Sequence, residues 1–220
     1  MEIFLTQDGS TTVNHPDSGV SFHSKYGAIT ESNHVFIENG LQFFSDYKDT
    51  LRILEVGFGT GLNVLLTFFK KSNVIFHSLD PFPLDLSTLD KLNYPSFLEN
   101  SSRAANIFQK ICNGKWDEEI NLSEDFKLQK FLISLQDFKD ISNYNLIFYD
   151  AFAPSAQPEL WTKEILKKVY DLLLPGGIFV TYCAKGSVKR IFKELGAEVY
   201  SPSGPPGKRE MTRVIKPLQV

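Results

Sequence analysis

The sequence predicts an α/β fold in which a mostly parallel sheet of seven strands is covered by helices on both faces. From residue 51 onward, short apolar strands alternate with helical segments. These strands are apolar along their whole length, as expected for parallel strands that are buried on both sides. In such sheets, ligands bind beyond the carboxyl ends of the strands, so the residues that follow each strand are the place to look for function.

Residues 1–50 read as a small N-terminal extension that packs on this core. Asp8-Gly9 is a turn pair between Glu2–Thr6 and Thr11–Asn14, which predicts a β-hairpin. A helix follows, with Thr30 or Ser32 as the expected capping residue. We expect an extension rather than a separate domain because a segment of about 50 residues buries little core by itself.

The core is expected to span residues 51–220. Its predicted strands are Leu51–Val56, Asn73–Leu79, Phe126–Ile133, Tyr144–Tyr149 and Ile178–Cys183, followed by the pair Ala197–Ser201 and Glu210–Ile215. Its predicted helices are Leu62–Phe69, residues 85–112 in two pieces, Pro158–Leu173 and Gly186–Leu195. Pro175-Gly176-Gly177 is expected to terminate the helix Pro158–Leu173.

Composition excludes several classes of protein. The chain has 220 residues, of which 42% are hydrophobic and 22% charged, as in ordinary globular proteins. The two cysteines form no CxxC pair, and no pair of histidines has metal-ligand spacing, so we expect neither a disulfide framework nor a metal site. No run of about 18 apolar residues predicts a membrane span. These features favour a cytoplasmic protein and leave the oligomeric state open.

Charge is distributed unevenly. Residues 185–220 contain eight Lys or Arg against three Glu, a net charge of +5. Since the whole chain carries −3, residues 1–184 carry −8. This asymmetry favours an anionic partner at one end of the molecule, although a solvated helix with ordinary lysines would give the same pattern.

A glycine-rich turn follows the first core strand. In Glu55–Asn63 the glycines at 57, 59 and 61 have the spacing G-x-G-x-G, and no lysine follows as it would in a phosphate-binding loop. The acid at Glu55 would repel an anion, so a cationic ligand suits the turn better. Asp80, at the end of the next strand, can accept hydrogen bonds from two ribose hydroxyls.

Together with Leu174-Pro175-Gly176-Gly177, these features resemble the class I (Rossmann-like) S-adenosylmethionine (AdoMet)-dependent methyltransferases. The resemblance implies that AdoMet is the cofactor. It also implies the cofactor-binding residues, which are Glu55, Gly57, Phe58, Gly59, Thr60, Gly61, Asn63 and Asp80.

The segment Asp150-Ala151-Phe152-Ala153-Pro154 is similar to a narrower family, the tRNA 5-aminomethyl-(2-thio)uridine methyltransferases. Further matching segments are Pro158–Thr162, Gly207–Met211, Phe22–Ser24 and Glu31–Phe36. The resemblance implies a stand-alone form of the methyltransferase domain that some bacteria fuse to a flavin-dependent oxidoreductase. It implies N-methylation of the aminomethyl group of the wobble uridine of tRNA.

The chain departs from the family pattern at two places. The ribose-binding acid is usually Glu followed by Lys, and here it is Asp80-Pro81. The family often has an acid near the adenine, after the third strand. The nearest candidates here are Ser134 and Asp137, of which we assign Asp137 to the cofactor.

Asp150 is the expected catalytic residue. An alkylamine with a pKa near that of lysine, about 10.4, is mostly protonated at neutral pH and then has no lone pair for attack. A carboxylate can bind the ammonium, help to remove its proton and hold the free amine in line with the methyl group. The alternative role of Asp150 is a loop or helix cap before Pro154.

The expected contacts with the anticodon stem-loop are a stacking ring and several cations. They are Phe152, Lys185, Lys189, Arg190, Lys208 and Arg209. For Trp161 we favour core packing over stacking, and for His23 and His34 a polar surface or helix position over a catalytic one.

Two other functions stay open on the sequence alone. An AdoMet-dependent methyl- or aminopropyltransferase, similar to spermidine synthase, would also end a strand in acids to bind a small amine. A degenerate methyltransferase fold could serve as an RNA-binding scaffold, although the intact glycine loop and both Asp80 and Asp150 argue against it.

Overall fold

A computed structural model describes residues 1–15, 19–139 and 143–218 of the chain. A two-stranded hairpin, β1 (Glu2–Leu5) and β2 (Thr11–Asn14), precedes the main sheet. The main sheet is built from β3 (Leu51–Val56), β4 (Val74–Leu79), β5 (Glu119–Ser123), β6 (Phe126–Phe131), β7 (Tyr144–Tyr149), β8 (Leu173–Thr181), β9 (Glu198–Tyr200) and β10 (Thr212–Ile215). The α-helices are α1 (Ala28–Ser32), α2 (Leu62–Lys70), α3 (Leu86–Leu89), α4 (Ser101–Asn113), α5 (Lys163–Asp171) and α6 (Gly186–Glu194).

The strand order of the main sheet is β5-β6-β4-β3-β7-β8-β10-β9. The five central strands are parallel, whereas β5, β9 and β10 pair with their neighbours in the antiparallel sense. From β3 the chain passes first to β4 on one side and later to β7 on the other. The strand order therefore reverses at β3, and a crevice opens at the carboxyl ends of β3, β4 and β7.

The structure confirms the mostly parallel α/β sheet and adds an edge strand that the sequence did not suggest. The β5 sequence Glu-Ile-Asn-Leu-Ser lacks the apolar run that marked the other strands, and Leu122 is its one buried residue. A turn at Glu124-Asp125 folds it back onto β6. Strand β7 has the predicted bounds.

The predicted helix at 158–173 is wrong at both ends. Residues Pro158–Trp161 form a 3-10 turn, and α5 begins at Lys163 because the hydroxyl of Thr162 accepts a hydrogen bond from the Ile165 amide. Pro175-Gly176-Gly177 does not terminate the helix but lies within β8, where the pairing with β7 shifts register. The irregular pairing accommodates the proline there, since proline has no amide to donate to the ladder.

The capping of α1 was also predicted wrongly, because the cap comes from the hairpin rather than from Thr30 or Ser32. The helix begins at Ala28, and Ser10 Oγ accepts the hydrogen bond of the Ala28 amide at 3.0 Å. Asp8 Oδ2 accepts hydrogen bonds from the amide and the hydroxyl of Thr30 at 2.9 and 2.8 Å. The helix start is thereby joined to the turn between β1 and β2. After α1 the chain continues in a π-helical segment, Asn33–Glu38.

Two apolar clusters cover the faces of the sheet. Val13, Ala28 and Phe36 of the N-terminal extension belong to the same cluster as Ile53 of β3 and residues of α2. The opposite cluster joins Leu54 to α5 and α6. The N-terminal extension thus shares one core with the sheet. None of the helices in the described ranges is long and apolar enough to span a membrane.

Candidate active site

A cavity of about 250 Å³ lies at the carboxyl ends of β3, β4 and β7, where the strand order reverses. Five parts of the chain form its walls: the glycine loop, the segment after β4, the segment after β6, the loop after β7, and part of the N-terminal extension. The lining residues are His15, Phe22, His23, Val56–Thr60, Leu62, Asn63, Leu79–Phe82, Ile133–Gln136, Asp150–Phe152, Gln157, Glu159 and Leu160.

The glycine loop is fixed by backbone hydrogen bonds across the sheet. The amides of Gly57 and Phe58 donate to the carbonyl of Leu79 at 2.9 and 3.2 Å. Gly57 has a φ of +95°, and a Cβ there would lie 2.8 Å from the carbonyl oxygen of Asp150. A side chain at this position would therefore push the β7 loop out of place. Close approach of these two backbones brings Asp150 to the edge of the loop.

Asp80 is held against the glycine loop by main-chain donors. Its Oδ2 accepts a hydrogen bond from the Gly59 amide at 3.0 Å, and Oδ1 accepts one from the Phe82 amide at 2.9 Å. Burial raises the pKa of this carboxyl above its ordinary value, while the two amides act in the opposite direction. Each oxygen has further lone pairs for hydroxyl donors.

The cavity has the features that an AdoMet site needs. It offers one acid at the end of β4 and two glycines of the loop, Gly57 and Gly59, and the described residues that line it include no Lys or Arg that would favour a phosphate. Gly61, also assigned to the cofactor from the sequence, does not line the cavity. The side-chain oxygens Thr60 Oγ1 and Asn63 Oδ1 are buried and have no hydrogen-bond partner among the described residues. These residues lie beside Tyr94 and Glu55, respectively, whose Oη and Oε1 atoms also lack such a partner.

Asp150 follows β7 and lines the same cavity as Asp80, as the sequence predicted. Its amide donates to the Val56 carbonyl at 3.0 Å, and its Oδ2 accepts a hydrogen bond from Asn63 Nδ2 at 3.0 Å. Burial, and secondly the nearby charge of Glu31, raise the pKa of Asp150 to about 7. A carboxylate with this pKa is a better proton acceptor near neutral pH than an exposed one.

Glu55 does not line the cavity, in contrast to the sequence-based assignment. It is completely buried at the end of β3, where Oε2 accepts a hydrogen bond from Ser78. Burial raises its pKa well above the ordinary value, and the nearby charges of Asp150 and Asp80 act in the same direction. The sequence placed it correctly before the glycines but could not show that its carboxyl is completely buried.

Asp137 also lies outside the cavity wall. Its carboxylate accepts a hydrogen bond from Ser134 Oγ at 2.7 Å and so closes an exposed turn after β6. Residues Ile133–Gln136 of this segment line the cavity instead, and Asp137 lies along a different surface with Phe138 and Lys139. The sequence-based assignment of Asp137 to the cofactor is not supported by this position.

The N-terminal extension supplies a wall that sequence reasoning underrated. The ring of Phe22 meets that of Phe152 edge-to-face, with centroids 5.1 Å apart, and His15 meets Phe152 at 6.1 Å. His23 is buried against Thr12, with Nδ1 2.9 Å from the hydroxyl oxygen, and burial lowers its pKa to about 4. It is therefore neutral at pH 7. Only the similarity of Phe22–Ser24 to the family pointed to this segment.

Trp161 packs in the core, the role that the sequence favoured. Its Nε1 donates a hydrogen bond to the carbonyl of Phe152 at 2.8 Å, and its ring lies against Tyr149. His34 lies away from the cavity, with Nε2 2.7 Å from the carbonyl oxygen of Ser203 and Nδ1 3.3 Å from Glu38. Trp161 thus fixes the position of Phe152, whereas His34 joins the segment after α1 to the C-terminal segment.

The five cations assigned to tRNA fall into two groups. Lys185, Arg190 and Arg209 are exposed. Lys189 forms an ion pair with Glu210 at 3.1 Å, and Lys208 forms one with Glu31 at 2.6 Å. These two lysines have carboxylate partners within the chain, a contact that the sequence could not show. No group of three or more metal-ligating side chains occurs in the described ranges.

A parallel sheet with this strand order, an acid at the end of β4 and a glycine loop at the switch point define an α/β fold of the AdoMet-dependent methyltransferase class. The family model described as S-adenosyl-L-methionine-dependent methyltransferase matches residues 109–217. The chain is similar to this family over those residues, and the relatives that it matches include proteins named MnmC.

Two curated relatives are named tRNA 5-methylaminomethyl-2-thiouridine biosynthesis bifunctional protein MnmC. The one from Marinomonas sp. is 30% identical over 94% of this chain and 32% of its own length. The one from Actinobacillus pleuropneumoniae is 30% identical over 96% of this chain and 34% of its own length. The chain therefore spans about a third of the length of these relatives.

Solved structures show the same fold. The crystal structure of MNMC2 from Aquifex aeolicus superposes with a TM-score of 0.78 at 26% identity, covering all of this chain and 72% of that one. A spermidine synthase from Thermotoga maritima superposes with a TM-score of 0.52 at 14% identity, covering 98% of this chain and 72% of that one. At that identity the second likeness concerns the fold alone.

Proposed function

We propose that this chain transfers a methyl group from AdoMet to the aminomethyl nitrogen of 5-aminomethyl-(2-thio)uridine at the wobble position of tRNA. The observation that carries the proposal is the placement of Asp150 and Asp80 on one cavity, with the glycine loop between them. The names of the MnmC relatives support the nucleoside, and the exposed cations near the C-terminus support an RNA substrate.

The cofactor side of the cavity is assigned to the glycine loop and to Asp80. When bound there, AdoMet supplies a methyl carbon on a sulfonium, so the amine lone pair forms a bond to that carbon while the carbon–sulfur bond breaks. Asp80 would accept hydrogen bonds from the ribose hydroxyls, as strand-end acids do in nucleotide-binding folds. Thr60 and Asn63 offer the buried oxygens described above.

The amine side is assigned to Asp150. The substrate nitrogen arrives mostly as an ammonium, which a carboxylate attracts and can deprotonate. With a pKa of about 7, Asp150 accepts that proton more readily than an ordinary aspartate does. After methyl transfer the nitrogen is again cationic, and the same carboxylate stabilises the charge until a proton leaves.

The base is assigned to the aromatic wall. Phe22 and Phe152 line the cavity near Asp150 and are held by contacts with His15 and Trp161. A uracil that leaves the anticodon stack needs such rings, since unstacked bases are commonly held on aromatic faces.

In this assignment, residues 1–50 form the substrate side of the site, and residues 51–220 form the methyltransferase domain. We expect the protein to act in the cytoplasm, on the anticodon stem-loop.

Methyl transfer to purified tRNA tests the proposal. Labelled AdoMet is incubated with the protein and tRNA from cells that make the aminomethyl nucleoside but cannot methylate it, and the nucleosides are separated and identified by mass. We expect label only in 5-methylaminomethyl-(2-thio)uridine. A transcript with an unmodified wobble uridine is the matched control and should take up none. Label on another nucleoside, or transfer to a free alkyldiamine but not to tRNA, would refute the assignment.

A further inference from the structure

The side chain of Lys208 is 34% exposed, but its ammonium group pairs with a buried carboxylate. Its Nζ lies 2.6 Å from Oε1 of Glu31, whose side chain is only 8% exposed. The other oxygen of Glu31 accepts a hydrogen bond from the Ser24 amide at 2.7 Å. The ion pair therefore connects the C-terminal turn with the segment that carries His23, on the wall of the cavity.

Lys208 is also connected to the loop of Asp150. Its Nζ lies 3.9 Å from the centroid of the Tyr182 ring, a cation–π distance. The hydroxyl of Tyr182 donates a hydrogen bond to the carbonyl of Ala151 at 2.8 Å. Ala151 follows Asp150 directly, so Tyr182 links Lys208 to the backbone of the loop after β7.

The charges around Asp150 come mainly from Glu31 and Lys208. Glu31 raises the pKa of Asp150, second to burial, whereas Asn63 and Lys208 act in the opposite direction. The other titratable groups that face Asp150, or that face this ion pair, are Glu55, Tyr94, Tyr182, His23 and Cys183. Burial shifts the pKa of each of these groups toward its neutral form. Among the described residues, the charges that shift the pKa of Asp150 are therefore those of the ion pair.

We infer that Lys208 is a positioning residue for the methyl-transfer reaction, and not the phosphate contact that its sequence context predicts. It compensates the charge of Glu31 so that the amine site carries one net negative charge, matched to one ammonium. Through Tyr182 it also holds the Asp150 loop in place. The inference rests on the proposed function, since it concerns the residue assigned there to the amine.

Two single variants that remove opposite charges of the ion pair test the inference. Lys208→Met leaves Glu31 unpaired, so we expect the pKa of Asp150 to rise. The acidic limb of the pH–rate profile, where the rate rises as Asp150 loses its proton, should then move up by about one pH unit. Glu31→Gln leaves Lys208 unpaired and should move the limb down. The double variant Glu31→Gln/Lys208→Met should return it close to the wild-type position, and Lys208→Arg should stay there too.

Arg209→Met is the matched control, because it removes an exposed positive charge from the same turn. We expect it to raise the KM for tRNA without moving the pH limb. Thermal unfolding of each variant identifies any that are misfolded. The pH limb of a single variant is compared with that of wild type only if the variant is folded. If it is misfolded, the double variant, which buries no unpaired charge, is compared with wild type instead.

The result that would overturn the inference is a Lys208→Met protein that behaves like Arg209→Met, with a raised KM and an unmoved limb. Limbs that move in the same direction in Lys208→Met and Glu31→Gln would also overturn it, because a purely structural role would produce that result.

The pKa of Asp150 can also be measured by carbon-13 NMR of labelled aspartate, with the Asp150 signal assigned by its loss in Asp150→Asn. An inactive wild type whose Asp150 still shows these shifts would refute the proposed function and retain the charge relationship.

Discussion

The side-chain nitrogen of Asn63 lies 3.0 Å from Oδ2 of Asp150 and donates a hydrogen bond to it. Asn63 is in the first turn of α2, directly after the glycine loop, whereas Asp150 follows β7, much later in the chain. The bond thus joins the cofactor side of the cavity to the amine side. A donor at this place stabilises the charged form of Asp150 and orients its free oxygen.

Asn63→Leu should weaken catalysis by removing this donor. Without it the charged form of Asp150 loses a hydrogen bond, so its pKa rises and less of the enzyme is competent at pH 7. We expect the single-turnover rate at pH 7 to fall by about tenfold, the size of one hydrogen bond to a charged group. Thr67→Val is the control, because Thr67 is buried on the same helix and its hydroxyl donates to the Asn63 carbonyl. Equal losses in both variants would contradict this role of Asn63.

Asp150→Asn should keep AdoMet binding and lose most turnover. The amide can neither attract the ammonium as a charge nor accept its proton, and general-base catalysis is worth about 10² to 10⁴ in rate. Titration calorimetry with AdoMet measures the first property, and single-turnover methyl transfer measures the second. Asp137→Asn is the matched control, since that carboxylate closes an exposed turn outside the cavity. Turnover in Asp150→Asn equal to that of wild type would remove Asp150 from the mechanism.

The same variant should stabilise the ligand-free protein at alkaline pH. The pKa of Asp150 is raised from 3.8 to about 7, so between these values the folded state binds more protons than the unfolded state. The free energy of unfolding contributed by this group therefore falls as pH rises through that window. Relative to wild type, Asp150→Asn should gain about 2 to 3 kcal/mol between pH 5 and pH 8. Urea unfolding at both pH values measures this difference, and a constant difference would contradict the raised pKa.

Asp80→Ala should weaken AdoMet binding more than it slows the chemical step. The variant loses the acceptor for the Gly59 and Phe82 amides, together with the expected acceptor for the ribose. Loss of hydrogen bonds to a charged group of this kind costs about 1.5 to 3 kcal/mol, or roughly 10- to 150-fold in Kd. Calorimetry gives the Kd, and the rate at saturating AdoMet gives the chemical step. Asp85→Ala is a suitable control, because Asp85 caps α3 and does not line the cavity.

The three exposed cations Lys185, Arg190 and Arg209 should contribute to tRNA binding through phosphates. Replacing all three by Met should lower tRNA affinity and make the slope of log K against log salt shallower by about one to three, according to how many contact RNA. Filter binding at several salt concentrations measures the slope, and AdoMet affinity should not change. Lys115, Lys127 and Lys167 are paired with acids elsewhere on the surface and serve as a matched triple. A slope that changes equally in both triples would contradict a localised RNA surface.

Local pattern was enough to predict much of this protein. Uniformly apolar segments indicated the parallel strands, and the residues after them indicated Asp80, Asp150 and the glycine loop, because the carboxyl ends of parallel strands meet at one edge. Periodicity could not resolve elements that depend on their neighbours. The edge strand Glu119–Ser123 exists because it pairs with β6, and α1 begins where Asp8 and Ser10 of the hairpin cap it.

What the sequence by itself determined is therefore the fold class and the acids at the strand ends, both of which follow from short-range patterns. Tertiary structure decided which side chains turn toward the cavity and which turn away. It buried Glu55, placed Asp137 on an outer turn, brought Phe22 and His23 to the wall and paired Lys208 with Glu31. Residues 31 and 208 are far apart in the chain, and their contact depends on how the N-terminal extension and the C-terminal turn pack over one sheet edge. No local pattern carries that information.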